Sequence, residues 1–106
     1  MTEELDHILT EFKDKLAQLY GGKEYGLVCY GSQARGEAHP GSDIDLALIM
    51  EGEIQPSKEI DRLADLLVEF NLRYGVLISL LPVDKGTWEK GEGPFWRNVR
   101  REGIEI

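Results

Sequence analysis

The stretch from Tyr25 to Met50 reads YGLVCYGSQARGEAHPGSDIDLALIM. Its first six residues, Tyr25 to Tyr30, are a short apolar run of strand type that breaks off at Gly31. Gly31 to Ser42 contain three glycines, two serines and a proline, so this is loop, with room for one helical turn after Ser32. A second strand is expected from Asp43 to Met50. After its first three residues it is apolar throughout, the pattern of a strand buried on both faces at that end.

On the amino-terminal side, Leu5, Ile8, Leu9, Phe12, Leu16 and Leu19 recur three or four apart and predict an amphipathic helix. Thr2 is placed to cap it, Glu3, Glu4 and Asp6 suit its positive end, and Gly21-Gly22 stops it. On the carboxyl-terminal side, Ser57 is the expected cap of another helix. Its inner stripe reads Ile60, Leu63, Ala64, Leu67 and Phe70, and it ends at Tyr74-Gly75. Val76 to Val83 form a third strand, stopped by Pro82. Asp84 to Gly93 is expected to be loop with at most a short helical piece. Pro94 then opens a last helix through Phe95, Trp96, Val99 and Arg100, with Gly103 past its end and Ile104 to Ile106 as a further edge strand. The sum is an α/β (α+β) fold of order α-β-β-α-β-α, a small mixed sheet of three to four strands flanked by helices, and 106 residues imply one domain, 1–106.

Composition narrows the function. Twelve Lys+Arg against twenty Asp+Glu give a net charge of −8, whereas a duplex groove needs a basic surface, so nucleic acid is not the expected main ligand. No apolar run reaches the roughly 18 to 20 residues that cross a bilayer, and the first residues lack the basic and apolar parts of a signal peptide. One cysteine forms no internal disulfide, which fits a cytoplasmic protein.

The chemistry concentrates in Gly31-Ser32 and, ten residues later, Asp43-Ile44-Asp45. Side chains two apart on a strand share a face, so Asp43 and Asp45 stand roughly 6 to 7 Å apart while Ile44 points the other way. Two such acids repel, and a hard divalent cation removes the repulsion; Mg²⁺ is commonly held by one or two carboxylates plus substrate phosphates. Gly31 lets the backbone approach a ligand closely, and the Ser32 hydroxyl can donate to a phosphate oxygen. If the first two strands are neighbours, a phosphate clamp and a metal site lie side by side, the geometry for in-line displacement of pyrophosphate from Mg-NTP.

GSQARGEAHPGSDIDLALIM resembles the GSx10DxD signature of the nucleotidyltransferase superfamily that includes DNA polymerase beta, and its wording is similar to that of the minimal nucleotidyltransferases of prokaryotes. The likeness is dense over residues 25 to 50 and looser beyond. It implies that Gly31 and Ser32 bind phosphate and that Asp43 and Asp45 are the catalytic, metal-binding carboxylates. It sets Arg35 and Gly36 at the RG of the connecting loop. It also implies Mg²⁺ as cofactor, ATP or another NTP as substrate, AMP transfer to an acceptor hydroxyl, and, by analogy, a small helical HEPN-type partner for which the chain acts as antitoxin, in a homo- or hetero-oligomer. One departure stands out. The family's third carboxylate has no counterpart at the expected positions, Leu77 or Ser79, and Asp84 lies beyond Pro82. A module that neutralises its partner by binding alone is therefore the alternative expectation.

Other residues have plainer readings beside the sharper ones. Arg35 is read either as a phosphate contact or as a salt bridge to Glu37 or Asp43. Ser42 is read as a turn residue and kept as a candidate nucleotide contact, and Ser32 as a helix cap compatible with phosphate binding. Cys29 is read as small buried packing, His39 as surface and His7 as structural or exposed. Arg97, Arg100 and Arg101 form the only basic cluster, either a solvated helix face or a partner or phosphate contact. Trp88, Phe95 and Trp96 are read as packing anchors or part of an interface.

Overall fold

The computed structural model describes residues 2–21, 25–39 and 41–106. Gly22, half of the expected helix stop, and Pro40 lie outside the described residues. The elements run α1 (Glu3–Tyr20), β1 (Tyr25–Tyr30), α2 (Ser32–Arg35), β2 (Ile44–Met50), α3 (Pro56–Tyr74), β3 (Ile78–Asp84), α4 (Lys85–Lys90), α5 (Pro94–Glu102) and β4 (Ile104–Glu105). The expected order holds, with α2 and α4 as short additions.

One four-stranded mixed sheet has the order β3-β2-β1-β4. β1 is antiparallel to β2, with Tyr30 opposite Asp45; β2 is parallel to β3, with Asp45 opposite Ser79. A parallel pair needs a crossover, and α3 supplies it. Alternation then divides the side chains. Leu27, Cys29, Ile44, Leu46, Leu48, Met50 and Ile78 face the main core, built against Leu5, Ile8, Leu9, Phe12 and Leu16 of α1 and Leu63, Leu66 and Phe70 of α3. Phe12 and Phe70 meet edge to face, ring centroids 5.2 Å apart, and pin the two helices together. On the other face Val28, Ala47 and Val83 are buried together with Val99 of α5. β2 is thus covered on both sides, as its continuous apolar run predicts.

Several local expectations are corrected. Leu19 is half-exposed and Tyr20 is buried in its place, with its hydroxyl donating to Glu59 at 2.5 Å. In α3, Ile60 and Ala64 face solvent while Leu66 is buried. This helix also exposes Val68 and Leu72, so apolar residues lie all round it and period alone does not choose the packed face. Ser57 does not cap α3; Gln55 occupies that position and Pro56 opens the helix. Pro82 lies inside β3 rather than ending it, opposite Leu48. β3 is an edge strand, where a residue lacking an N–H is tolerated. The segment after β3 is more helical than expected, because Asp84 caps α4 by accepting from the Thr87 N–H at 2.9 Å. Among the described residues no helix is long and apolar enough to cross a membrane.

Candidate active site

The site forms where β1 ends beside the start of β2. Gly31 turns the chain out of β1 with φ 75° and ψ −156°, a conformation essentially confined to glycine. Space demands glycine as well: a Cβ here would penetrate Asp45 Oδ2 and lie 3.3 Å from Asp45 Cγ. The backbone of the glycine-serine pair therefore lies directly against the second carboxylate.

Ser32 is the first residue of α2 rather than its cap, a position that falls to Gly31. The turn is closed by Arg35 N–H to Gly31 O at 3.1 Å and Glu37 N–H to Ser32 O at 2.9 Å. Asp43 precedes β2 and is exposed; Asp45 is half-buried on the strand; Ile44 between them is buried in the core. Ile44 N–H donates to Leu77 O at 2.9 Å, which holds the start of the strand against the β3 side. Burial pushes the Asp45 carboxyl up from the usual carboxylate range, and the charge of Asp43 pushes it further, with Arg35 opposing. Two carboxylates placed against their own charge are a fit for a hard cation.

Among the described residues no third acid joins them. Ser79 stands opposite Asp45 in the parallel ladder. Asp84 pairs with Met50, at the far end of β2, roughly 16 Å along the strand from Ser79. There it is committed to Thr87, whose hydroxyl and N–H donate to it and hold its carboxyl below the usual range. Among the described residues no group of three or more His, Cys, Asp or Glu side chains gathers at one point. Any cation here would take its remaining ligands from phosphate or water.

The other candidates fall into place around this pair. Arg35 is held by two carboxylates: Nε donates to Glu37 at 3.0 Å and Nη1 to Glu102 at 3.1 Å. The expected bridge to Glu37 is present. Glu102 was not singled out from the sequence, although an acid in the last turn of a helix, next to Arg100 and Arg101, runs against the helix dipole and is itself a signal. Ser42 closes a turn by accepting from the His39 N–H at 3.0 Å. Beside Asp43 a groove of about 550 Å³ opens, lined by Leu5, Ile8, Gln33, His39, Ser42 and Val76 among others. Tyr30 lies opposite Asp45, its phenol pushed up by burial and by that carboxylate, and its ring meets half-exposed Phe95 edge to face at 6.1 Å. Arg100 leaves the basic cluster for the backbone, donating to Trp88 O at 2.9 Å and Gly91 O at 2.7 Å. Cys29 is fully buried, its thiol pushed up to about 11, chiefly by burial. His7 and His39 are exposed, and His39 lines the groove beside Asp43.

Comparison with known proteins gives this geometry a context. Residues 9–102 match the family model described as nucleotidyltransferase domain. Three proteins of Methanocaldococcus jannaschii, each named "putative protein adenylyltransferase", are similar in sequence. One is 40% identical over 83 residues, 76% of this chain and 55% of that protein, so the chain spans about half the length of that relative. A second is 31% identical over 96 residues, 90% of each chain. A third is 32% identical over 103 residues, 97% of this chain and 99% of the relative. The fold is shared with a crystal structure from Sulfolobus solfataricus titled "putative nucleotidyltransferase", with a TM-score of 0.61 at 20% identity over 93% of this chain and 76% of that one. The Gly31-Ser32 corner, set against Asp45, and Asp43 just before β2 all lie within the matched segment, and the chain belongs to the nucleotidyltransferase domain family.

Proposed function

We propose that this protein, as a single domain, transfers AMP from ATP to an acceptor hydroxyl. The single observation that carries the reading is the contact of Gly31 with Asp45: a phosphate-binding corner and a charge-strained carboxylate occupy adjoining space. Gly31 and Ser32 hold the triphosphate tail, and Asp43 and Asp45 hold Mg²⁺ against it, with Arg35 and Ser42 as neighbours of the nucleotide. When bound, the cation neutralises the acid pair and polarises the phosphate. The acceptor oxygen attacks the α-phosphorus, the bond to the β-phosphate oxygen breaks, pyrophosphate leaves, and the hydroxyl proton passes to solvent. The acceptor enters from the β3 side, where exposed Ser79 stands opposite Asp45. The names of the similar proteins support a protein as acceptor. By family analogy that protein is a small helical HEPN-type toxin, bound in a cytoplasmic hetero-oligomer for which this chain is the antitoxin.

A second reading rests on Ser79. A serine where a third acid would stand leaves the attacking hydroxyl without a base, and loss of a base typically slows such chemistry by about 10²- to 10⁴-fold. On this reading the protein neutralises its partner by contact alone. Incubation with labelled ATP, Mg²⁺ and the partner separates the two. Label on the partner that vanishes in Asp43→Asn supports transfer. No label, with neutralisation intact in that variant, supports contact alone and refutes transfer.

A further inference from the structure

Glu102 is brought to the site by the carboxyl-terminal segment, 71 residues away in sequence from Gly31. β4 pairs antiparallel with β1, Cys29 opposite Ile104 and Val28 opposite Glu105. Just before this ladder, Glu102, the last residue of α5, reaches the Gly31 N–H. The approach is close: a Cβ on Gly103 would lie 2.6 Å from Val28 Cγ1 and 2.7 Å from Val99 O, so nothing larger than glycine lets the end of α5 settle on β1. Ile106 N–H to Leu27 O at 2.9 Å fastens the end of the chain.

The side chain delivered in this way is largely shielded, 18% exposed, and each of its oxygens has a partner. Oε1 accepts from the Gly31 N–H at 3.2 Å and from Arg35 Nη1 at 3.1 Å; Oε2 accepts from Arg35 Nη1 at 3.3 Å. One carboxylate therefore grips both ends of the turn formed by residues 31–35. Hydrogen bonds to an ionised carboxylate are stronger than neutral ones, and they suit a group that fixes geometry. The helix dipole disfavours an acid at the last residue of α5, so the helix gains nothing from this charge and the turn does. Arg35, facing Glu37 and Glu102, is more than neutralised, which leaves it as a strut within the turn rather than a free cation.

We propose that Glu102 is a positioning residue for the triphosphate. It holds Gly31 at the turn against Asp45 and acts on the nucleotide only through Gly31 and Arg35. This rests on the nucleotidyl-transfer reading above and names the device that orders its phosphate clamp. The test is calorimetric titration of Mg-ATP into the full chain at a temperature well below every melting point, with the Gly31 amide followed by NMR. Glu102→Ala is expected to bind Mg-ATP about tenfold more weakly and to lose the downfield position of the Gly31 amide proton. Glu102→Gln, which keeps one accepting oxygen, is expected to lose about threefold. Arg35→Ala/Glu102→Ala together are expected to lose no more than Glu102→Ala alone, since both act through one strut. Val99→Ala, which loosens α5 away from the carboxylate, is expected to lower the melting temperature and leave Mg-ATP affinity within about twofold. Should Glu102→Ala fail to fold, Glu102→Gln and Arg35→Ala carry the same comparison. Wild-type protein that binds no Mg-ATP overturns the transfer reading and this inference together. Wild-type binding that the Glu102 variants leave intact, an unmoved Gly31 amide, additive losses in the double variant, or an equal loss in Val99→Ala overturns this inference alone.

Discussion

Gly31→Ala sets two physical costs against each other at one position, and Gly36→Ala separates them. Both glycines have positive φ, 75° at Gly31 and 73° at Gly36. A side chain at Gly31 enters a region that costs about 1 to 3 kcal/mol, and at Gly36 a left-handed helical one that costs about 1 to 2 kcal/mol. For a domain of this size about 1 kcal/mol moves the melting temperature by roughly 4 to 8 °C, so the two variants are expected to melt within several degrees of each other and clearly below wild type. They differ in what the new methyl meets. At Gly36 nothing lies within 4 Å, whereas at Gly31 the methyl runs into Asp45 Oδ2. The carboxylate must retreat by roughly 1 Å to regain ordinary contact. On the proposed reading, in which Asp45 holds the cation, displacing it in this way is expected to weaken Mg-ATP binding by about ten- to a hundredfold. Thermal melts give the first quantity and calorimetric titration the second. Gly31→Ala that binds as wild type does, or Gly36→Ala that loses binding by the same factor, refutes the argument that Gly31 is there for Asp45.

Asp45→Asn should raise the melting temperature of the metal-free protein at neutral pH while abolishing its stabilisation by Mg²⁺ with ATP. The folded-state carboxyl is shifted up, so its ionisation opposes folding, and that cost is present above its folded pKa and relieved as pH falls; a metal-free variant that melts lower than wild type contradicts this. Glu11 works in the opposite sense. Tyr74 and Arg73, reaching from α3, hold its carboxyl below 4.5, so the stability it contributes is present above the unfolded value and lost as pH falls through the folded one. In a melting series from pH 6 to pH 3, Glu11→Gln should lose less stability than wild type does. Cys29 should resist alkylation at about pH 8 in the folded protein and react fully in denaturant, because its thiol is buried and pushed up to about 11. Rapid labelling of native protein, read by mass spectrometry, counts against the placement of β1.

How much could be read in advance differs from element to element. The placement of Asp43 and Asp45 on either side of a core residue was legible from their spacing around Ile44, although Asp43 stands just before β2 rather than on it. The boundary of α3 at Gly75 was legible because a left-handed cap selects glycine, here with φ 66°. The inner face of α3 was legible in part: Leu63, Leu67 and Phe70 pack on the core as expected, but Ile60, Ala64, Val68 and Leu72 offer a second apolar stripe, and only the packing of α3 against its neighbours decides which is covered. Glu102 was missed for a related reason. Its role depends on antiparallel pairing of a two-residue strand with β1, a long-range contact that no local pattern encodes. The same holds for Asp84. As a string it is an acid after a strand; register sets it opposite Met50, at the wrong end of the sheet.

Local patterns were enough to order the strands and helices and to pick out the glycine-serine pair and the two carboxylates ten residues on, because hydrophobic period, turn chemistry and spacing are properties of neighbouring residues. Folding alone set Gly31 against Asp45, put Ser79 across from that acid, and brought Glu102 back to grip the turn. Those are contacts between residues far apart in sequence, and pairing register and core packing, not composition, bring them together.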